Sequence, residues 1–279
     1  MPYKTILVHV DETGQSAQRV ALACQLALAN EAHLLGVATT GVSRYVLQTA
    51  ALNVQDPLIG PHLAWLREQA ETALAGFEAS ARQAGVASFE KRVIDDEAGV
   101  GLATAARYAD LVLLGQVNAA HDLPGPAKNV TEFVLVHGGC PLLVLPYAGQ
   151  FEHVGQQVLL AWDGSAGARR ALAGALPLLQ KAANVDVVVY NPEAGEGEHG
   201  EQPGADISLY LARHGVKTTV VQEATAGDVG EALLSLAANR GADLLVMGGY
   251  GHARMREILM GGATRSVLAS MTLPVLLAH

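Results

Sequence analysis

The stretch that decides the fold is Asp243-Leu-Leu-Val-Met-Gly-Gly-Tyr-Gly251, which is followed by Gly261-Gly262-Ala263-Thr264. The apolar run 244–247 predicts a buried strand, and residues 263–270 predict a short helix. Glycines let the main chain approach a ligand closely, and the free N–H groups at a helix N-terminus favour phosphate. A strand, a glycine loop and a helix start in this order therefore predict an anion-binding site.

The second half of the sequence repeats the first half. The stretch Asp110-Leu-Val-Leu-Leu-Gly115 corresponds to Asp243-Leu-Leu-Val-Met-Gly248, at an offset of 133 residues. Pro141-Leu-Leu-Val-Leu145 corresponds to Pro274-Val-Leu-Leu-Ala278 at the same offset. Because two separate stretches share one offset without a gap, the sequence predicts a duplicated domain.

Near the start of each half, the apolar runs that end in Asp11 and in Asp163 correspond at an offset of 152 residues. The two offsets differ by 19 residues, which indicates an insertion in the first half at about residues 42–61. The predicted domains are therefore residues 1–148, which carry the insertion, and residues 154–279.

Strand-like apolar runs alternate with helix-like segments through both halves. This alternation predicts α/β domains whose parallel sheets are covered by helices on both faces. The predicted strands are 5–10, 33–39, 89–94, 111–114, 141–145, 158–162, 185–190, 217–222, 244–247 and 275–278, and the predicted helices are 16–29, 63–83, 100–108, 130–136, 168–179, 205–214, 229–239 and 263–270.

Composition excludes several classes of function. The chain has 279 residues, of which 50% are hydrophobic, and a formal net charge of −9. That charge argues against a nucleic-acid partner, which requires a basic face. No apolar run is long enough to span a bilayer and no signal peptide is recognised, so we expect no membrane partner and a cytoplasmic location. Cys24 and Cys140 are far apart in apolar segments, and we expect reduced core cysteines.

The glycine pattern distinguishes this loop from the common phosphate-binding motifs. It is not a Walker A loop, because no Gly-Lys-Ser/Thr follows. The pattern Gly248-x2-Gly251-x9-Gly261-Gly262 resembles the Gly-x2-Gly-x9-Gly-Ser/Thr signature of the universal stress protein family. Gly262 departs from this signature, which has Ser or Thr at the last position. The position therefore lacks a hydroxyl donor and keeps its backbone N–H. Arg254, Arg256 and Arg265 are candidates for compensating positive charge.

The resemblance covers the chain as two tandem copies and implies its fold. We expect two tandem Rossmann-like domains, similar to adenine nucleotide alpha hydrolases, each with a five-stranded parallel sheet of order 3-2-1-4-5 flanked by helices. In such sheets the ligand binds where the strand order reverses, between strands one and four. In the second domain these strands end at Asp163 and Gly248.

The resemblance also implies a ligand and its contacts. The ligand would be ATP or AMP, with Mg²⁺ as a possible companion. The acid after strand one would meet the nucleoside, the end of strand two the adenine, and the glycine segments the phosphates. The implied binding residues are Asp163, Tyr190, Gly248, Gly249, Tyr250, Gly251, Gly261, Gly262, Ala263 and Thr264.

The first domain has lost most of this signature. Gly115 remains, whereas the counterparts of Gly251, Gly261 and Gly262 are Asn118, Lys128 and Asn129. We therefore expect one binding domain and one structural domain. The family also pairs domains through their fifth strands, which implies pairing within this chain and leaves a homodimer open.

Three functions follow as hypotheses. The first is a stress-response protein that binds an adenine nucleotide in its second domain and has a regulatory or protective role with little or no catalysis. The second is a scaffold whose pocket holds no nucleotide. The third, an enzyme of the related hydrolase class, is disfavoured because no Ser-Gly-Gly-x-Asp-Ser loop or His-x-x-His motif follows strand one. No catalytic residue and no metal ligand is predicted.

Overall fold

Strands and helices alternate through the part of the chain that the structure, a computed structural model, describes. That part comprises residues 2–43, 59–117, 130–192, 202–249 and 262–279. Contacts between residues divide the chain into two units, Pro2–Cys140 and Pro141–His279. Within the described residues, no helix is long and apolar enough to cross a membrane.

The first unit contains a parallel sheet with helices packed against it. Its strands run in the order β3-β2-β1-β4, and every pairing between them is parallel. Its elements are β1 (Thr5–His9), α1 (Ser16–Asn30), β2 (His33–Thr39), α2 (Ile59–Ala84), β3 (Phe89–Ile94), α3 (Ala98–Ala106), β4 (Leu111–Gly115) and α4 (Val130–His137).

The inner strands of this unit are apolar because both of their faces are covered. The middle residues of β1 and the first four residues of β4 are fully buried. Gly36 of β2 lets the ring of Phe77 from α2 lie against the strand, since a Cβ there would come within 2.6 Å of that ring. Three of the six residues of the edge strand β3, Glu90 to Arg92, are charged and exposed, which disfavours pairing with another chain.

The second unit has the same alternation. Its parallel strands run in the order β8-β7-β6-β9-β10. Its elements are β5 (Leu142–Leu145), β6 (Gln157–Ala161), α5 (Ala166–Leu179), β7 (Asn184–Tyr190), α6 (Ala205–Arg213), β8 (Thr218–Glu223), α7 (Val229–Asn239), β9 (Leu244–Gly248), α8 (Gly262–Ser270) and β10 (Val275–Ala278).

One strand of this unit is additional to the predicted sheet of five parallel strands. β5 belongs to the second unit and pairs antiparallel with β10, where Leu143 lies opposite Leu276. All four residues of β5 and of β10 are buried, so an exposed edge on β10 would leave apolar side chains and backbone groups in water. The pairing of whole domains and a homodimer stay predictions.

The predicted α/β class is confirmed, and the predicted elements agree closely with the observed ones. The bounds of β2 and β3 are those predicted, and α2 begins four residues earlier, at Ile59 rather than Leu63. The predicted insertion at about 42–61 lies mostly outside the described residues, which end at 43 and resume at 59. The predicted domains, 1–148 and 154–279, stay a prediction.

Candidate functional site

Asp163 follows β6 and is fixed by the turn that leads into α5. The N–H of Trp162 donates to the carbonyl of Val188 at 2.9 Å, which extends the β6–β7 pairing. One carboxylate oxygen of Asp163 accepts the N–H of Ser165 at 2.9 Å. The Ser165 hydroxyl in turn accepts the N–H of Ala168 at 3.0 Å and caps α5. The exposed carboxylate of Asp163 is thereby held at the carboxyl end of β6.

Gly248 ends β9, and α5 begins directly against it. A Cβ atom on Gly248 would lie 2.5 Å from the backbone nitrogen of Ala168 and 2.8 Å from the carbonyl carbon of Gly167. Backbone atoms cannot move aside as a flexible side chain can, so this close approach requires glycine. The packing of a helix start on a strand end thus explains Gly248 without reference to a ligand.

The backbone N–H and carbonyl of Gly249 both have hydrogen-bond partners within the protein. Its N–H donates to the carbonyl of Ala278 at 2.8 Å, and its carbonyl lies 3.2 Å from Nδ1 of His279. The family resemblance implied that this segment meets the phosphates. The Gly249 N–H is not available for that role, because the pairing of β9 with β10 continues for one more residue.

The N-terminus of α8 packs beside the N-terminus of α7. Asp228 caps α7, where its Oδ1 accepts the N–H of Glu231 at 2.9 Å. The other oxygen of Asp228 lies 3.5 Å from the position that a Cβ of Gly262 would take. Gly230 lets the helices approach, since a Cβ there would come within 2.5 Å of the carbonyl oxygen of Ala263. A carboxylate therefore lies near the predicted phosphate-binding turn.

Tyr190 ends β7 and is anchored to α7. Its hydroxyl donates to the carbonyl of Ala232 at 3.1 Å. Burial raises the pKa of the Tyr190 phenol, and the nearby charge of Glu223 raises it further. Tyr190 therefore stays protonated at neutral pH and fixes the distance between a strand end and a helix.

These residues surround one cavity of about 330 Å³ at the carboxyl ends of β6, β7 and β9. Of the ten predicted binding residues, it brings together Asp163, Tyr190, Gly248, Gly262, Ala263 and Thr264. Gly249 does not line it, and Tyr250, Gly251 and Gly261 lie outside the described residues. The remaining lining residues are mostly apolar: Ala161, Trp162, Val188, Val229, Leu233 and Met247.

Sequence reasoning did not name the apolar walls of the cavity. Trp162 and Met247 lie next to predicted site residues, so the ends of the predicted strands were an available signal for them. Val229 and Leu233 come from α7, and no motif in the sequence marks that helix as part of the site. Only the fold brings its first turns against the ends of β7 and β9.

The described lining carries one charged side chain, the carboxylate of Asp163, and no lysine or arginine. Arg265 is exposed and does not line the cavity, whereas Arg254 and Arg256 lie outside the described residues. In the part of the chain that the structure describes, no cluster of His, Cys, Asp and Glu side chains is arranged to hold a metal ion. The described site can thus hold an apolar ring and accept hydrogen bonds at Asp163.

In the first unit, Arg19 fills the space that corresponds to this crevice. A Cβ atom on Gly115, the counterpart of Gly248, would lie 2.4 Å from Nη1 of Arg19. The Arg19 Nε donates to the carbonyl of His9 at 2.8 Å, and its Nη2 lies 2.9 Å from the carboxylate of Asp11. Arg19 is only 1% exposed. The carboxyl ends of β1 and β4 are therefore closed by an ion pair between a buried guanidinium and a partly exposed carboxylate.

This ion pair shifts the protonation of its neighbours. Burial would raise the pKa of Asp11, but Arg19 and then His9 outweigh it and hold the pKa below its ordinary value. Burial lowers the pKa of His9 to about 4. At the offset of the repeat, the position of Arg19 is taken by Ala171 in the second unit, which has no group that could fill the crevice. At corresponding positions of the same fold, the first unit therefore has a charged arginine and the second unit has a small alanine.

Comparison with known proteins finds similarity to one family. Residues 155–279 match the model of the universal stress protein family. A universal stress protein from Synechocystis is 32% identical over 139 residues, a match that spans 49% of this chain and 46% of that protein, so about half of each.

Two solved structures of universal stress proteins align with this chain. The structure of a universal stress protein from Archaeoglobus fulgidus covers 98% of this chain and 97% of its own at a TM-score of 0.73 and 18% identity. A second universal stress protein from that organism, solved in complex with dAMP, covers 52% of this chain and 98% of its own at a TM-score of 0.35 and 16% identity. The likeness to the first structure, at 18% identity, extends to the fold and to no individual contact.

Proposed function

We propose that this chain binds an adenine nucleotide, ATP or AMP, in the cavity of the second unit, since residues 155–279 match the model of the universal stress protein family. The observation that carries the proposal is that six of the ten residues implied by the signature line this one cavity. The role would be regulatory or protective in a stress response, with little or no catalysis.

The walls of the cavity suit the parts of such a ligand. Trp162, Val188 and Leu233 offer apolar surface for a purine ring. The carboxylate of Asp163 is exposed and can accept hydrogen bonds from ribose hydroxyls. The first turn of α8, with Gly262 and Thr264, presents backbone N–H groups and a helix dipole to a phosphate.

Size and charge favour the smaller nucleotide. A cavity of about 330 Å³ lies at the lower end of the range of ligand pockets, about 300–1,000 Å³. Its described lining has no basic side chain, and the Asp228 carboxylate lies near Gly262. We therefore propose tighter binding of AMP than of ATP. Any Mg²⁺ would arrive with the phosphates, and Asp163 is the lining carboxylate that could contribute a ligand to it.

Titration calorimetry with AMP and ATP tests the proposal. We expect one site per chain for the wild type, and an affinity for AMP that falls by about 10- to 100-fold in Asp163→Ala, as for the loss of a hydrogen bond to a charged group. Asp206→Ala, which removes an exposed carboxylate from α6, serves as the matched control and should leave the affinity unchanged. No heat at millimolar ligand would contradict nucleotide binding.

The second candidate function is a scaffold that holds no nucleotide. Two observations favour it: the Gly249 N–H is already bonded to Ala278, and a carboxylate of Asp228 lies beside the phosphate-binding turn. A folded protein that releases no nucleotide on denaturation and binds none in titration would support this function. Phosphate release from ATP, compared between the wild type and Asp163→Ala, would separate a binder from an enzyme, and we expect negligible release from both.

A further inference from the structure

β8 (Thr218–Glu223) is the outer strand of the sheet in the second unit. It pairs with β7 on one side and ends the sheet on the other. The Glu223 carbonyl accepts the N–H of Asn191, the residue after β7, at 2.9 Å, so the main chain of Glu223 faces β7. Successive residues of a strand direct their N–H and carbonyl groups to alternate sides. The residues whose N–H and carbonyl groups point away from the sheet are therefore Thr218, Val220 and Gln222.

These outward backbone groups have no partner in the part of the chain that the structure describes. No backbone group there bonds to the N–H or carbonyl of Thr218, Val220 or Gln222. The side-chain amide of Gln222 donates to the Pro203 carbonyl at 3.1 Å and leaves its own main chain unpaired. Val220 is 39% exposed although it is apolar. A row of unpaired N–H and carbonyl groups is a template on which another strand can pair.

The side chains of β8 favour such pairing, in contrast to those of the edge strand β3. The exposed residues of β3 are charged, which protects that edge. The exposed residues of β8 carry no charge, and the first four residues of the strand, Thr-Thr-Val-Val, are all β-branched. β-Branched residues are enriched in strands because they pack well on a pleated surface. β8 is therefore the edge strand that is suited to receive a further strand.

The positions of the outward groups select one register for the pairing of β8 with its own copy. In an antiparallel ladder, hydrogen bonds are exchanged only between two residues whose main chains face each other. A two-fold axis at Val220 places Val220 opposite Val220 of the second copy, and Thr218 opposite Gln222. All of the outward residues then form hydrogen-bonded pairs. An axis at Thr219 would leave Gln222 without a partner on the other strand.

Charge complementarity supports this register. With the axis at Val220, Lys217 lies opposite Glu223 of the second copy, and this contact occurs twice by symmetry. Within the described residues, neither Lys217 nor Glu223 takes part in an ion pair. Six residues of extended strand, about 20 Å, separate them within one chain, so they cannot pair with each other there. Opposite charges that face each other across two strands stabilise a sheet.

From these observations we propose that two copies of this chain pair through β8, antiparallel and about a two-fold axis at Val220. The sheet of the second unit then continues into the sheet of the second copy. A contact of one short strand is smaller than the interfaces of about 1,200–2,000 Å² that hold stable complexes, so the dimer is reversible and weak. This inference does not depend on nucleotide binding, because no residue of β8 lines the cavity proposed for AMP.

Sedimentation velocity of the full chain, from low micromolar to near-millimolar concentration, tests the proposal. The wild type should show a monomer–dimer equilibrium. Lys217→Glu and Glu223→Lys each place like charges at both ends of the paired strands and should weaken the dimer by about 10-fold. The double variant restores opposite charges and should dimerise as the wild type does. Glu152→Lys reverses an exposed charge elsewhere in the second unit and is the matched control, which should leave the dimer unchanged.

Recovery of the dimer in the double variant separates a lost contact from a folding defect, and the thermal midpoints of all variants are compared with that of the wild type. A protein that stays monomeric at every concentration would overturn the proposal, and so would an edge that instead receives an extended segment of another protein. A dimer that both single reversals leave unchanged, or that the double variant fails to recover, would overturn it as well. AMP titration of Lys217→Glu should match the wild type, and a parallel loss of AMP binding would contradict the separation of the two sites.

Discussion

The backbone nitrogen of Ala168 lies 2.5 Å from the position that a Cβ atom on Gly248 would occupy. This relationship joins the end of β9 to the start of α5, and it sets the spacing between the glycine turn and Asp163. A residue that the sequence marks as ligand-binding is thus also a packing residue. The two roles predict different effects of substitution.

We expect Gly248→Ala to destabilise the protein by about 1–3 kcal/mol, the usual cost of overpacking, because neither backbone segment can yield without moving α5. Gly227→Ala is the matched control in the same unit, since the nearest atom to its Cβ would lie 3.6 Å away. Urea unfolding of both variants provides the measurement. If Gly248→Ala were as stable as the control but bound AMP poorly, the packing role would be wrong and the ligand role alone would remain.

The ion pair of Arg19 and Asp11 supplies the second prediction. Arg19→Met removes the charge that faces Asp11, so the pKa of Asp11 should rise and stability should fall by about 1–3 kcal/mol, since the Asp11 side chain is 25% exposed and water can partly solvate it. In a double-mutant cycle, Asp11→Asn combined with Arg19→Met should cost less than the sum of the two single changes. Additive effects of the two changes would show that the pair is not coupled.

The buried His9 predicts a dependence of stability on pH. Its pKa in the folded protein is lowered to about 4, below the ordinary value of 6.5. Between about pH 6.5 and 4, the His9 imidazole is therefore protonated in the unfolded chain and neutral in the folded protein. The free energy of unfolding falls as the pH drops through this range and levels off below it. With the ring 15% exposed, we expect this contribution to reach about 2 kcal/mol.

Comparison of the wild type with His9→Gln isolates this effect from other titrating groups. The variant should lose less stability than the wild type between pH 7 and pH 4.5 in urea unfolding. A difference between the two proteins that does not change with pH would show that His9 titrates normally in the folded state.

Asp243 directly precedes β9, and we expect two substitutions of it to lower the stability of the second unit by different amounts. Its Oδ1 accepts the N–H groups of Gly155 and Gln157 at 2.9 and 3.1 Å, and its Oδ2 accepts that of Gln156 at 2.9 Å. Asp243→Ala leaves all three groups without this partner and should cost about 2–3 kcal/mol. Asp243→Asn can keep the two bonds to Oδ1 and should cost clearly less. Equal costs for both changes would contradict this account.

Local sequence patterns predicted the elements of the fold well where burial alone determines them. The fully covered strands β1, β4 and β9 are apolar runs, and apolar periodicity predicted them within a residue or two. The helix α2 was expected to begin at Leu63, after Pro61. It begins at Ile59 because proline is tolerated in the first turn, where its missing N–H has no helical partner.

The parts of the site that the sequence did not predict depend on contacts between distant segments. Arg19 is a charged residue in a helical pattern, and only Asp11 and the space above Gly115 make its burial possible. The cavity walls from α7 are a second case, since no local pattern brings Leu233 to the end of β7.

The measurement that tests the central claim most directly is the nucleotide content of the purified protein. The protein is saturated with AMP, freed of excess ligand and denatured, and the released nucleotide is identified by mass and quantified per chain. We predict one AMP per chain from the wild type and a strongly reduced amount from Asp163→Ala. No released nucleotide from the folded wild type, or an equal amount from both proteins, would contradict the account.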